Sequence, residues 1–483
     1  MTGAWPISCQ ATDLQRALRL AAARAAQTGG CVPASVVLAY RATDPLCVWQ
    51  AFQELAPGEC FYWEQPERQV ALVGAGVALS MHMQGEQRFI EAARAWRRLR
   101  AEMIVGSAPE VPLSADHGPV LIGGFSFDPG RPRSYLWQHF PDGLLLLPRL
   151  LFRQHAGVAT LTFSALVHTM DTLDTLSRAI DAELMQLRAL LSGPDAVALP
   201  AYAPARLYAL RDIWPVQTWQ DLVADAVSSI GQGAYAKVVL AREAEVISDT
   251  QPFDLARTLQ NLRQGYANAC IFALQRGEQT FIGATPERLV RARSGRLHTV
   301  ALAGSAPRGA DAQEDRRLGC ELLHSPKNRR EHEIVIAMLR ASLAHLCSGV
   351  QVARAPALLR LKNIQHLQTA IVGQLLPERT LLEALHTLHP TPAVGGSPTE
   401  AALHFIRTRE NLDRGWYAGP LGWVDLVGNG EFVVALRSAL LKQHTATLFA
   451  GCGIVKDSDP GAEYAESCLK LQVMLRGLAG EEE

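Results

Sequence analysis

Neither sign of charge is in excess: 46 Lys and Arg stand against 47 Asp and Glu, for a net charge of -1. That balance offers no particular hold on the phosphates of a nucleic acid or on an anionic membrane, so neither is expected as a partner. No apolar run is long enough to span a bilayer. The start, Met1-Thr2-Gly3-Ala4-Trp5-Pro6, lacks a basic segment followed by an apolar one, so no signal peptide is expected. The nine cysteines are dispersed and odd in number, with no Cys-x-x-Cys. This usage fits reduced thiols in a cytosol and speaks against zinc. Internal repeats and low-complexity tracts are also missing.

Apolar bulk is plentiful. Hydrophobic residues make up 48% of 483, enough for a large core. An amphipathic helix is expected over 13–27, and strands at Val36–Tyr40 and Val70–Gly74, with a tight turn near Gly74 and Gly76. The basic stretch Arg94–Arg100 has a helical pattern and reads as a solvated face. Strands are expected at 144–151 and 158–166, and a helix over 171–191. The segment 192–210 is Pro/Ala-rich and divides a strand-rich part, 1–191, from 211–483, which holds the chemical motifs. Strands and helices mix without regular alternation, which favours an α+β fold over a doubly wound parallel sheet.

The most informative stretch is Glu463-Tyr464-Ala465-Glu466-Ser467-Cys468-Leu469-Lys470. Residues three and four apart share a helix face, so Glu463, Glu466 and Lys470 form one stripe, continued by apolar Val473 and Met474. A charged stripe running into an apolar one points inward, where carboxylates need a cation or hydrogen-bond donors. Such a face can hold magnesium, which prefers oxygen ligands, with an ammonium beside it. A solvated helix with a Glu–Lys pair fits the same spacing.

Other segments carry candidate chemistry. Lys237 opens the strand Lys237–Arg242; it is either a solvated strand cap or, beside an apolar wall, a base. Glu287 sits on a rigid turn between two strands in Phe281–Val290; buried, it could donate a proton, and otherwise it pairs with Arg288. Ala303-Gly304-Ser305 is read as the end of the strand Thr299–Leu302, where small residues admit a ligand or simply turn the chain. Glu331-His332-Glu333 is read as preceding a helix whose inward face carries Val335, Leu339, Leu343 and Leu346, placing Glu331 at its rim. No second histidine follows at zinc spacing. Phe432–Leu441 reads as one long apolar strand with Arg437 inside it, needing a carboxylate from the protein or a ligand. Leu448–Ile454 ends in Gly451-Cys452-Gly453, whose amides could bind a carboxylate. It lacks the third glycine of a dinucleotide fingerprint.

Taken in order, KVVLAR, GATPERLV, LAGS, EHEIV, QHLQT, LHPTPAVGG, RGWYAGPLGW, FVVALRSALL, AGCGIV and EYAESCLKL resemble the chorismate-utilising enzymes over about residues 215–477. This resemblance implies one large α+β domain, two antiparallel sheets packed face to face with helices outside. The N-terminal segment would complete those sheets, which makes 192–210 a loop rather than a domain boundary. Glu331 and Glu466 would bind magnesium, with Glu463 acting directly or through water. Arg437, Tyr417, Lys470 and the amides of Gly451, Cys452 and Gly453 would hold the carboxylates of chorismate. Gly304, Ser305, His366 and Thr369 would line the ring pocket.

Two positions separate members of that family. Lys237 stands where water-using members carry a lysine that activates water for attack at ring carbon 2. Ala303 stands where aminodeoxychorismate synthases carry a nucleophilic lysine. The implied nucleophile is therefore water, with Lys237 as base, Glu287 as proton donor to the departing carbon 4 hydroxyl, and isochorismate as product. Leu388–Gly396 resembles the isochorismate and anthranilate enzymes rather than salicylate synthases. Phe61–Glu67, Gly85–Phe89 and Arg414–Tyr417 look most like the type found in salicylate and pyochelin siderophore pathways, which works beside a separate isochorismate-pyruvate lyase. The alternatives are a bifunctional salicylate synthase, a menaquinone-pathway enzyme, and a chorismate-binding regulatory protein. Two departures stand out. Asn328 occupies a commonly acidic position, which weakens support for the metal, and Ser305 replaces the commoner threonine.

Overall fold

The computed structural model describes residues 12–108, 111, 117–192, 208–360 and 364–480. Most of the 192–210 loop therefore lies outside the described residues. Twenty-one strands and eleven α-helices occur among the described residues. The sole parallel pairing there joins Val32–Tyr40 to Ile104–Ser107; the others are antiparallel. The α+β reading holds.

The hydrogen-bonded ladder is continuous, and two long strands carry it from one layer to the other. Val70–Met83 pairs along its whole length with Gly143–His155. Its first half also pairs with Cys60–Gln65, leading through Cys270–Arg276, Gln279–Thr285, Ser438–Lys442 and Thr445–Ile454 to Lys237–Ile247. The start of Gly143–His155 instead pairs with Val120–Phe125, leading through Pro420–Asp425, Gly430–Val434, Arg288–Arg293 and Arg296–Pro307 to Ile364–Leu375. The expected tight turn near Gly74 does not form. The strand runs on to Met83 with a register shift between Val77 and Leu79, and Gly76 takes φ 62° beside the Arg149 side chain. A bulge of this kind bends a strand without ending it, letting one strand serve both layers.

Alternation along each strand divides the core. Phe61, Trp63, Phe272, Phe281, Leu440 and Phe449 of the first layer pack with Leu421, Phe432 and Val434 of the second. On the opposite face of the first layer, Tyr62, Val73, Ile271, Ile282 and Leu448 pack under Trp49, Phe52, Ile180, Leu259 and Met474, which lie on outer helices. The expected helices appear as Thr12–Thr28, Arg88–Glu102 and Leu173–Ser192.

Three local readings change. Ala303–Ser305 does not end its strand, which continues to Pro307 through a register shift at Gly304, φ 77°. Glu331 lies inside the helix Pro326–Ala344 rather than ahead of it, because Pro326 at the first turn and the Ser325 hydroxyl, which accepts from the Asn328 amide, start the helix earlier. Phe432–Leu441 is two strands, Gly430–Val434 and Ser438–Lys442. Arg437 sits in the break at φ 49°, and its carbonyl accepts from the Ala284 amide.

Candidate active site

A cavity of about 370 Å³ opens between the layers. Lys237, Glu287, Gly304, Ser305, Glu331, His366, Tyr417, Arg437, Gly451, Gly453, Glu466 and Lys470 all line it. These residues come from distant parts of the chain and converge on one space. Cys452, Thr369 and Glu463 do not line it. Cys452 is fully buried, with its thiol donating to the Glu463 carbonyl at 3.3 Å. Thr369 lies one step behind, its hydroxyl 2.7 Å from His332 Nε2. The Glu463 carboxylate accepts from the Ser458 hydroxyl at 2.7 Å.

Lys237 begins the strand that pairs with Thr445–Ile454, bringing Val238 opposite Ile454 and Val239 opposite Gly453. Its side chain crosses the face of Gly453, where a Cβ would stand 2.9 Å from Lys237 Cε. Its Nζ is 3.9 Å from Glu331 Oε1.

Glu287 lies where the chain passes from the first layer to the second. Gln279–Thr285 pairs with Ser438–Lys442, whereas Arg288–Arg293 pairs with Gly430–Val434. The crossover is pinned by Val434 N donating to Glu287 O at 3.0 Å and by the Thr285 hydroxyl donating to Val434 O at 2.6 Å. Arg288 does not pair with Glu287; it turns to Glu431 at 2.6 Å. Burial pushes the Glu287 carboxyl up to about 7, against the opposing pull of Lys237, Arg437 and Lys470. It is thus poised to carry a proton near neutral pH.

Arg437 projects from the break between its two strands. Among the described residues no carboxylate lies within ion-pair distance of its guanidinium, and burial lowers its pKa. A ligand carboxylate is the partner such a group lacks. Tyr417, stacked on Phe449 with centroids 5.3 Å apart, is held neutral by burial. Lys470 bridges Glu466 at 2.6 Å and the Gly451 carbonyl at 2.9 Å. Ser305 and His366 Nδ1 are 2.7 Å apart, and burial with the nearby Lys470 and Arg437 charges lowers His366 to about 4, so its ring is neutral.

The helix Pro460–Ala479 buries Ser467, Leu471, Met474 and Leu478. The charged stripe flanks this core face rather than lying on it, which turns Glu466 and Lys470 to the cavity. Glu463 and Glu466 offer carboxylate oxygens within 4.8 Å of each other and of Cys452 Sγ. Burial raises the Glu463 pKa, and the Glu466 charge raises it further. Glu466 and Glu331 on the cavity wall, with Glu463 close behind Glu466, make an oxygen-rich, negatively charged donor set that fits a hard divalent cation.

Two buried arginines organise this site, and the reading of the sequence gave neither a role. Arg414 forms a two-pronged pair with Glu410 at 2.7 Å and donates to the carbonyls of Val239 and Val394. Glu410 accepts from the Ala241 amide at 2.8 Å. Together they lock the Lys237 strand to the loop before Gly395. Arg242 reaches from that strand to the C-terminal helix: it donates to Ser467 at 2.6 Å, pairs with Asp212, and lies over the Tyr464 ring at 4.6 Å. An arginine inside the apolar run of KVVLAR was the available signal, as it was for Arg437.

Known proteins share this sequence and architecture. A profile described as chorismate binding enzyme matches residues 19–479. A salicylate biosynthesis isochorismate synthase of Pseudomonas aeruginosa is 43% identical over 90% of this chain and 88% of its own length. The isochorismate synthase MenF of Bacillus subtilis is 36% identical over 97% of this chain and 99% of its own. The solved structure of MenF, the menaquinone-specific isochorismate synthase from Escherichia coli, superposes with a TM-score of 0.75 at 28% identity, covering 96% of this chain and 99% of that one. Anthranilate synthase component I from Streptococcus pneumoniae shares the fold, with a TM-score of 0.68 over 84% of this chain and 92% of that one, at 20% identity. The chain belongs to the chorismate binding enzymes.

Proposed function

We propose that this protein is an isochorismate synthase that adds water at carbon 2 of chorismate and removes the carbon 4 hydroxyl. The observation that carries this reading is that Lys237 and Glu287 line the same cavity as Glu331, Glu466 and Arg437. The relatives named above as isochorismate synthases support it.

In this mechanism Arg437, Tyr417, Lys470 and the amides of Gly451 and Gly453 hold the substrate's carboxylates. Lys237 Nζ takes a proton from a water whose oxygen bonds to carbon 2. Both ring double bonds shift, carrying the electron pair from carbon 2 round to carbon 4, and the carbon 4 oxygen leaves with the proton of the Glu287 carboxyl. One water enters and one departs, so the product is an isomer of the substrate. Each positioned acid or base contributes about 100–10,000-fold in rate. Glu331 and Glu466 would hold magnesium, with Glu463 beside them, and the ion supplies charge neutralisation and orientation at the ring carboxylate. Ser305 and the neutral His366 ring border the ring pocket, with Gly304 leaving room at the bulge.

Purified protein incubated with chorismate and magnesium should yield isochorismate by chromatography. Anthranilate formed with ammonia would overturn the assignment of water as nucleophile. Fluorescent salicylate without added lyase would mark a bifunctional salicylate synthase. The likeness to the Pseudomonas aeruginosa protein favours a salicylate pathway with a separate lyase as partner. The near full-length likeness to the Bacillus subtilis MenF keeps a menaquinone pathway as the second reading. No helix among the described residues is long and apolar enough to cross a membrane.

A further inference from the structure

A second, smaller cavity of about 40 Å³ lies where Cys60–Gln65, Val70–Met83, Gly143–His155, Arg288–Arg293 and Gly430–Val434 meet. Its sole lining carboxylate is Glu431, which is buried at 4% exposure. Three guanidinium groups converge on that carboxylate: Arg288 at 2.6 Å, Arg68 at 3.0 Å and Arg291 at 3.8 Å. Gln65 donates to it as well, at 2.8 Å. One carboxylate cannot neutralise three guanidinium groups, so positive charge is left over. The electrostatics register the excess. Burial lowers the Arg291 pKa, and the charges of Arg68, Arg288 and Arg293 add to that effect. His298 is lowered by burial and then by Arg291, Arg296 and Arg288.

We propose that this arginine cluster is a binding site for a small dianion with a phosphate or dicarboxylate head group. Guanidinium forks match the paired oxygens of such groups, and two negative charges balance the excess. The size limits the ligand. A buried water needs a cavity of about 10–15 Å³, so a cavity of about 40 Å³ admits a head group and not a ring. The strands that line this site also run to the reaction cavity, although the two cavities share no lining residue. Arg288 follows Glu287 in the chain, and Val434, on the Glu431 strand, donates to the Glu287 carbonyl at 3.0 Å. Binding itself does not depend on the proposed reaction, and the test reads binding alone.

The test is calorimetry on the full chain with sodium phosphate and with malonate, each at ionic strength held constant with chloride. Saturable binding of either one is expected, at least tenfold weaker in Arg291→Gln and Arg68→Gln. Phosphate alone or malonate alone would name the head group. The wild-type melting temperature should rise with that anion and not with chloride, a readout that needs no variant. No saturable heat in either titration would overturn the proposal. So would binding that survives Arg291→Gln and Arg68→Gln but vanishes with Arg437→Gln, since that would assign the anion to the reaction cavity.

Discussion

Lys237 Nζ stands 3.9 Å from the carboxylate of Glu331, so the proposed base and a proposed metal ligand meet at one wall of the cavity. Lys470 and Glu466 repeat the arrangement at 2.6 Å. Each pair joins one lysine nitrogen to one carboxylate on a different element or a different helical turn.

Lys237→Ala should lower isochorismate formation about 100–10,000-fold. The side chain crosses Gly453 and lines the cavity, so the melting temperature should move little. Retained hydration, measured by product chromatography, would remove the base from the mechanism.

Gly453→Ala should damage the reaction through the same residue. Its Cβ would stand 2.9 Å from Lys237 Cε and displace the amine. A shift of about 1 Å in a reacting group can cost about 100-fold. Unchanged kcat would show that Lys237 is free to move aside at no cost.

Glu287 links pH to both rate and stability. Its carboxyl titrates at about 7 in the folded protein, above the ordinary 4.5. As proton donor it works protonated, so kcat/KM should fall as pH rises through about 7, and Glu287→Gln should be slow and lack that limb. For stability, the folded state holds this proton more tightly than the unfolded chain. Its contribution is therefore full below about 4.5 and lost as pH rises through about 7. Glu287→Gln should then be more stable than wild type at pH 8, on the order of 1–2 kcal/mol after allowing for water in the cavity. Identical melting temperatures at pH 8 would place the carboxyl in a more solvated setting.

Glu466→Gln should raise the magnesium concentration needed for half-maximal activity and weaken metal binding measured by calorimetry. It removes charge beside Glu463, whose pKa Glu466 raises. Chelation of divalent ions should abolish turnover in the wild type. An unaltered metal titration in the variant would move the metal site elsewhere.

Arg242→Met should loosen the helix that carries Glu463, Glu466 and Lys470, because Arg242 ties Ser467 and Tyr464 to Asp212. The expected pattern is weaker metal and substrate binding, with partial rescue by Arg242→Lys, which keeps the charge without the fork. Equal loss in both variants with intact binding would limit Arg242 to folding.

Several features were legible in the chain because their signals are local. The stripe Glu463, Glu466, Lys470 follows from helical spacing, and the α+β class follows from irregular mixing of strand and helix patterns. An arginine in an apolar run marked Arg437 as a group in want of a carboxylate, and no protein carboxylate among the described residues supplies it. Other features were misread for an equally physical reason. Apolar continuity over Phe432–Leu441 hid the break at Arg437, since a buried turn is as apolar as a buried strand. Small residues around Gly74–Gly76 and at Gly304 signalled a turn, but Gly76 and Gly304 take left-handed φ beside register shifts in strands that continue, because bulges and turns use the same permissive backbone.

By itself, the sequence determined which residue types the site would use, and in what order along the chain. Covalent spacing and side-chain chemistry do not depend on where a strand is placed. The tertiary structure alone decided which of them share a space. Strand alternation sets the face of each side chain, but not the layer its strand joins. Passage of the chain between layers at Glu287 turned that carboxyl toward Lys237 and sent its neighbour Arg288 to Glu431. Cys452, one step from Gly451 and Gly453, and Thr369, three steps from His366, face away from the cavity because successive strand residues alternate.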